Sequence, residues 1–160
     1  MNASIKQIFQ ATHTRLNGAG LLLLRLWIGY EFVSAGWIKL QDLTPPSWFV
    51  GLHFPFPNSL LSSALNWGAA GLIESLMGLA LIAGVYSRFA SWVLLYVTYV
   101  AVYTVHFDLG WAGWNQIETD QGLGFKVPLM LGLMLLTIVS QGPGRFSIDH
   151  CCARADHLGC

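Results

Sequence analysis

The stretch LRLWIGYEFVSAGWIKLQD, residues 24 to 42, decides the fold, because it is long and apolar enough to cross a bilayer yet carries Arg25, Glu31 and Lys39 in one span. A hydrocarbon core of about 30 Å needs roughly 20 mostly apolar residues per helix. Apolar runs of that length occur at residues 19 to 40, 64 to 86, 89 to 107 and 123 to 141. The 160-residue chain is 54% hydrophobic and 10% charged, where a soluble domain carries about 25% charge. Only helices and closed barrels satisfy their backbone in lipid, and these runs lack the alternation of a barrel. The expected fold is all-α, a single four-helix transmembrane bundle.

Formal net charge is zero, which argues against nucleic acid as a partner and makes the lipid bilayer the first one. Charge is sorted along the chain. Lys6 and Arg15 precede the first run, Arg88 sits in the short turn between the second and third, and Arg145 and Arg154 follow the fourth. Asp42, Asp108, Glu118 and Asp120 fall in the two longer loops. By the positive-inside rule both termini are cytoplasmic, and the loops at 41 to 63 and 108 to 122 face outward. Arg25 interrupts the first run and no small-residue cleavage site follows, so that run is expected to be retained as a span.

Three regions follow from this division. Residues 1 to 17 read either as an amphipathic segment on the cytoplasmic leaflet or as a frayed terminus. Residues 18 to 149 form the membrane domain, and 150 to 160 a cytoplasmic tail. Within the domain, TPPSWFVGLHFPFPN at 44 to 58 holds four prolines and cannot be regular helix. Its aromatic residues suit either a lid over a site between helices or padding at the membrane surface. GPGR, 142 to 145, ends the fourth helix.

Charges inside a membrane span cost about 2.5 to 3.5 kcal/mol each on insertion scales, so they normally face the bundle interior or a wet cavity. On a helix, Gly29, Phe32, Gly36 and Lys39 fall within about 40° of Arg25, while Glu31 lies about 120° away. Glu74, in the second run, shares the depth of Glu31. Trp92, Tyr96, Tyr99, Tyr103 and His106 form one stripe along the third helix, and Met130 and Met134 face one side of the fourth. Arg25, Lys39 and Glu74 are the candidate catalytic groups. Tyr99, Tyr103, Met130 and Met134 are the candidate cofactor-binding groups. The alternatives stay open: tyrosines that bond neighbouring carbonyls, and a structural ion pair or carbonyl-bonded clamp at Glu74 and Arg25. The tail offers His150, Cys151, Cys152, His157 and Cys160 as metal or thiol-exchange candidates, although their spacing matches no zinc signature.

LRLWIGYEFVSAGWIKL, IESLMGLALIAGVYSRFAS and GPGRFSID, taken together, resemble the DoxX family of small four-helix membrane proteins over most of residues 20 to 149. LRLWIGYEFVSAG and GWAGWNQIE are similar to its DoxD type, the membrane subunit associated with thiosulfate:quinone oxidoreductase. RLWIGYEFVSAGWIKLQD and FKVPLML resemble HvfX, the member found with copper-binding-peptide biosynthesis. The family pattern falls on Arg25, Gly29, Gly36, Lys39, Glu74, Gly78, Arg88, Gly142, Gly144, Arg145 and Asp149, whereas Glu31 departs from it. The resemblance implies a multi-pass protein of the bacterial inner membrane with quinone-linked redox chemistry in sulfur, thiol or copper handling, working with a partner subunit or as a homo-oligomer. The alternative it leaves is a non-catalytic anchor or maturation factor for soluble enzymes. The sequence holds no haem, flavin or iron–sulfur motif.

Overall fold

Residues 18–150 are described by the structure, a computed structural model. The expected amphipathic segment at 1–17 and all of the tail except His150 lie outside them. Helix α1 is Ala19–Gln41, α2 Ser63–Ala83, α3 Ser87–Val105 and α4 Lys126–Gln141. The first three are long and apolar enough to cross a membrane. Helix α4 has 16 residues, about 24 Å at 1.5 Å per residue, which is shorter than a bilayer core. It begins three residues later than its apolar run. Leu123 is taken up by a two-stranded hairpin in which Glu118–Thr119 pairs antiparallel with Gly122–Leu123. Pro128 then falls in the first turn of α4, where a missing N–H leaves no helix bond unmade.

Neighbours in the bundle follow chain order, α1 on α2, α2 on α3 and α3 on α4, with a lighter contact between α1 and α4. The core is Ile28, Phe32, Leu81, Ala90, Leu94, Leu135 and Ile138. Helices α1 and α2 approach along a seam of four glycines. A Cβ on Gly29 would come within 2.7 Å of the Gly78 carbonyl, and one on Gly36 within 2.6 Å of the Gly71 carbonyl. Each pair is seven residues apart on its helix, so small residues recur on one face every two turns and bring the backbones together.

The two ends of the bundle are built differently. At the turn end, Gly84 takes a left-handed conformation (φ 73°) to close α2, and its N–H bonds the Ala80 carbonyl. Asp149 then reaches back across the chain. Its carboxylate accepts hydrogen bonds from the N–H of Tyr86 (2.8 Å) and of Ser87 (3.0 Å), while its own N–H donates to Gly84 O (3.0 Å). That carboxylate serves as the N-terminal cap of α3, whose neighbouring residues lack a capping side chain of their own. At the loop end lie the segments 42–62 and 106–125. Ser62 caps α2 there, its Oγ accepting from Leu65 N–H.

Candidate functional site between the second and third helices

Lys39, in the last turn of α1, and Glu74, midway along α2, are brought together by the glycine seam. A Cβ on Gly71 would sit 2.9 Å from that of Lys39, so a larger residue there would push the lysine away. Lys39 Nζ lies 2.6 Å from Glu74 Oε2 and 3.3 Å from the Ala35 carbonyl. It also sits 5.7 Å from the centre of the Trp67 ring, within the range of a cation–π contact. Glu74 is 6% exposed. The pair closes one end of a cavity of about 250 Å³ between α2 and α3.

Three aromatic residues of the 44–58 segment, Trp48, Phe49 and Phe54, line that cavity. The segment folds back onto the bundle through Phe49, whose ring centre is 4.9 Å from that of Trp67 and 5.2 Å from that of Phe54. Trp67 is fixed in turn by its Nε1–H, which donates to Asp42 O at 2.9 Å. Polar ties hold the segment's far end. Asn66 Nδ2 donates to the carbonyls of Asn58 (3.0 Å) and Leu61 (3.3 Å), Asn58 Nδ2 donates to Asn66 Oδ1 (3.0 Å), and the Tyr96 hydroxyl donates to Asn58 Oδ1. The segment is therefore a cover over the cavity, tied to both helices that form its walls.

At the opposite mouth stands His106, the residue that ends α3. Its Nδ1 is buried without a hydrogen-bond partner among the described residues. Burial pushes the imidazole below its ordinary range, opposed by a hydrogen bond with the Gly124 backbone and by the Asp108 carboxylate. A lone histidine at a helix end reads as a boundary residue in the sequence, and its place at the cavity depends on the fold of the 106–125 loop.

Of the residues singled out from the sequence, Lys39 and Glu74 meet. Arg25 lies elsewhere, fourteen residues back along α1, about 21 Å from Lys39 along the axis. It is 1% exposed. Its guanidinium donates to the carbonyls of Pro143 and Phe146, the latter at 2.7 Å, which ties the segment after α4 under the end of α1. Tyr99 and Tyr103 are 52% and 53% exposed on the membrane-facing side of α3 and do not line the cavity. The stripe slants around the helix, so Tyr96 at one edge of it reaches the site while its neighbours, at ring distances of 6.4 and 6.3 Å along the stripe, turn away. Met130 is half exposed, and Met134 packs against the core. The His150 N–H donates to Ser147 Oγ at 3.1 Å. Cys151, Cys152, His157 and Cys160 lie outside the described residues. Asn58, Asn66, Trp67 and Tyr96 form the polar and aromatic frame of the cavity, and only Tyr96 carries a sequence signal, through the stripe.

The arrangement can hold a flat or small polar molecule between aromatic walls, with a cation and a carboxyl at the inner end and a phenol at the side. A family model described as DoxX matches residues 20–107. An uncharacterized protein of Haemophilus influenzae is 33% identical over 135 residues, covering 83% of each chain. No solved structure matches the chain at a significant level.

Proposed function

The chain belongs to the DoxX family, and from that membership and the cavity beside Lys39 and Glu74 we propose that this integral membrane protein is the membrane subunit of a quinone-linked oxidoreductase. The observation that carries the reading is the buried Lys39–Glu74 pair at the end of an aromatic-walled cavity. Its volume suits a ring-sized head group, being below the range of about 300 to 1,000 Å³ typical of drug-sized ligands. When bound, a quinone supplies a two-electron, two-proton acceptor. Lys39 would hold one ring oxygen by a charge-assisted hydrogen bond. Glu74, already bonded to Lys39, would keep or release a proton at its carboxyl, and Tyr96 would orient the head group from the side. The aromatic cover of Trp48, Phe49 and Phe54 would exclude water. Arg25 has a different task in this reading, holding the segment after α4 in place.

The family membership and the sorting of charge support a four-span arrangement in a bacterial inner membrane. The turn end, with Arg88 and Arg145, would then be cytoplasmic, and the loop end with its covered cavity would face outward. The reaction served would be the oxidation of a sulfur compound or thiol, or a step in copper handling, with electrons delivered by a partner. The test is purification from native membranes followed by extraction and mass analysis of bound lipid-soluble molecules. Quinone at near one per chain, lost in Glu74→Gln and in Lys39→Met, is the expected result. Protein free of quinone, with unchanged quinone reduction in Glu74→Gln membranes, would overturn the reading.

A second reading, a membrane anchor for a soluble enzyme, draws on Trp111, 80% exposed in the short helix Gly110–Asn115 of the loop end. Co-purification of a stable soluble partner that is lost in Trp111→Ala, with no small molecule bound, would favour it.

A further inference from the structure

Glu31 is absorbed neither by the cavity nor by the core. It lies in the middle of α1 and makes no hydrogen bond or ion pair with another described residue. Glu31 is half-buried, at the edge of a face on which Trp27 and Ile38 are turned to the membrane, while Ile28 on its other side sits in the core. A carboxyl at that depth is costly unless it finds a donor. Helix α3 carries donors with the converse problem. The hydroxyls of Tyr99 and Tyr103 project from an exposed face and likewise bond no other described residue.

Depth matches them. Glu31 and Tyr99 each lie twelve residues past the first residue of their helix, about 18 Å from the turn end at 1.5 Å per residue. Helices α1 and α3 run in the same direction, and their side chains lean toward the same end. The two faces belong to helices that do not neighbour each other in the bundle. One chain therefore cannot bring them together, but two chains standing side by side in one membrane can.

We propose that the protein self-associates in the membrane through a head-to-tail contact in which Glu31 of one copy accepts hydrogen bonds from Tyr99 and Tyr103 of the next. Trp27 and Tyr30 pack against the tyrosine stripe around that contact. Both faces consist of large apolar side chains, with Glu31 and Tyr99 at one depth and Tyr103 one turn nearer the loop end, so each face supplies what the other lacks. A contact of this kind uses different surfaces on the two copies and generates rings when its rotation closes.

The test uses the full chain with Cys151, Cys152 and Cys160 changed to Ser, in two differently tagged copies co-expressed in one membrane. One copy carries Glu31→Cys and the other Tyr99→Cys, and a short thiol-reactive cross-linker bridges the separation left by the two longer side chains. Cross-linking between the two tags is expected, with little when Leu133→Cys on the exposed side of α4 replaces Tyr99→Cys. Cross-linking equal to that control, linking only between two Glu31→Cys copies, or capture of a different protein in place of the second copy would overturn the proposal. Tyr99→Phe, which keeps the ring, should weaken self-association about threefold, the worth of one hydrogen bond between membrane helices. Unchanged association in both Tyr99→Phe and Glu31→Leu, measured by energy transfer between labelled copies in vesicles, would also overturn it.

Discussion

Lys39 and Glu74 form an ion pair at 2.6 Å with both side chains largely withdrawn from the surface, 19% and 8% exposed. Neither charge has a second opposite charge to turn to among the described residues, since the remaining partners of Lys39 are a carbonyl and an indole ring. Removing one member strands the other. Lys39→Met should lower stability by about 3 to 5 kcal/mol, the range for breaking a buried pair. Removing both charges in Lys39→Met/Glu74→Leu should recover most of that loss. Thermal unfolding in lipid nanodiscs checks it, and additive losses in the double variant would show that the pair contributes nothing as a pair.

The glycine seam gives a prediction with a built-in control. A Cβ at position 36 would meet Ser75 Oγ at 2.5 Å and Gly71 O at 2.6 Å, and the backbone oxygen cannot rotate away. Gly36→Ala should therefore push α1 from α2 and cost about 1 to 3 kcal/mol, as overpacking does. Gly20, on the same helix, has nothing within 4 Å of its Cβ position. Gly20→Ala should be neutral or slightly stabilising, since alanine is the better helix former. Because Lys39 leans on Gly71, Gly71→Val should also displace the ammonium group, so loss of bound quinone is expected in that variant.

How far the sequence alone reaches is set by the range of each interaction. Helix periodicity is local, and it puts Arg25, Gly29, Phe32 and Gly36 on one face, all of them buried in the bundle. Glycine and charge spacing likewise mark Lys39 and Glu74 as interior candidates, although their meeting depends on how α1 and α2 are rotated. The same unknown rotation separates Tyr96 from Tyr99. Three residues apart on a continuous stripe, they are equivalent by periodicity, yet one borders the cavity and the other faces the membrane. The start of α4 is displaced because an apolar run does not disclose the hairpin pairing of Leu123. Least legible are contacts across long stretches of chain, such as Tyr96 with Asn58 at the cover or Asp149 with the start of α3, which leave no periodic trace.

That last contact is testable by itself. Asp149 accepts from two backbone N–H groups at the start of α3 and fixes Tyr86 in a left-handed conformation (φ 45°) that a bulky residue rarely adopts. Asp149→Ala leaves both donors without their cap and should cost about 0.5 to 2 kcal/mol. Asp149→Asn keeps one acceptor oxygen and should recover part of the loss. A second consequence separates the cap from general destabilisation. Tyr86→Gly relieves the left-handed strain, so Asp149→Ala should cost less in a Tyr86→Gly background. Equal cost in the two backgrounds, read from unfolding in nanodiscs, would separate the cap from the conformation of Tyr86.

His106 makes the site's surroundings pH-dependent. Burial holds its pKa below the ordinary 6.5, so the folded protein binds fewer protons than the unfolded chain between those two values. Stability is then full above about pH 7.5 and falls as the pH drops through 6.5 toward the lowered folded value, below which this contribution no longer changes. The Asp108 carboxylate and the Gly124 backbone bond limit the size of the effect without reversing its sign. His106→Gln keeps a polar group of similar length and has no proton to gain in this range. Unfolding temperature should therefore decline from pH 7.5 to 5.5 in the unmodified protein and decline less in His106→Gln. Parallel declines in the two proteins would assign the acid sensitivity to other groups. A steeper decline in His106→Gln would mean that the folded state prefers the charged imidazole, the opposite of what its burial dictates.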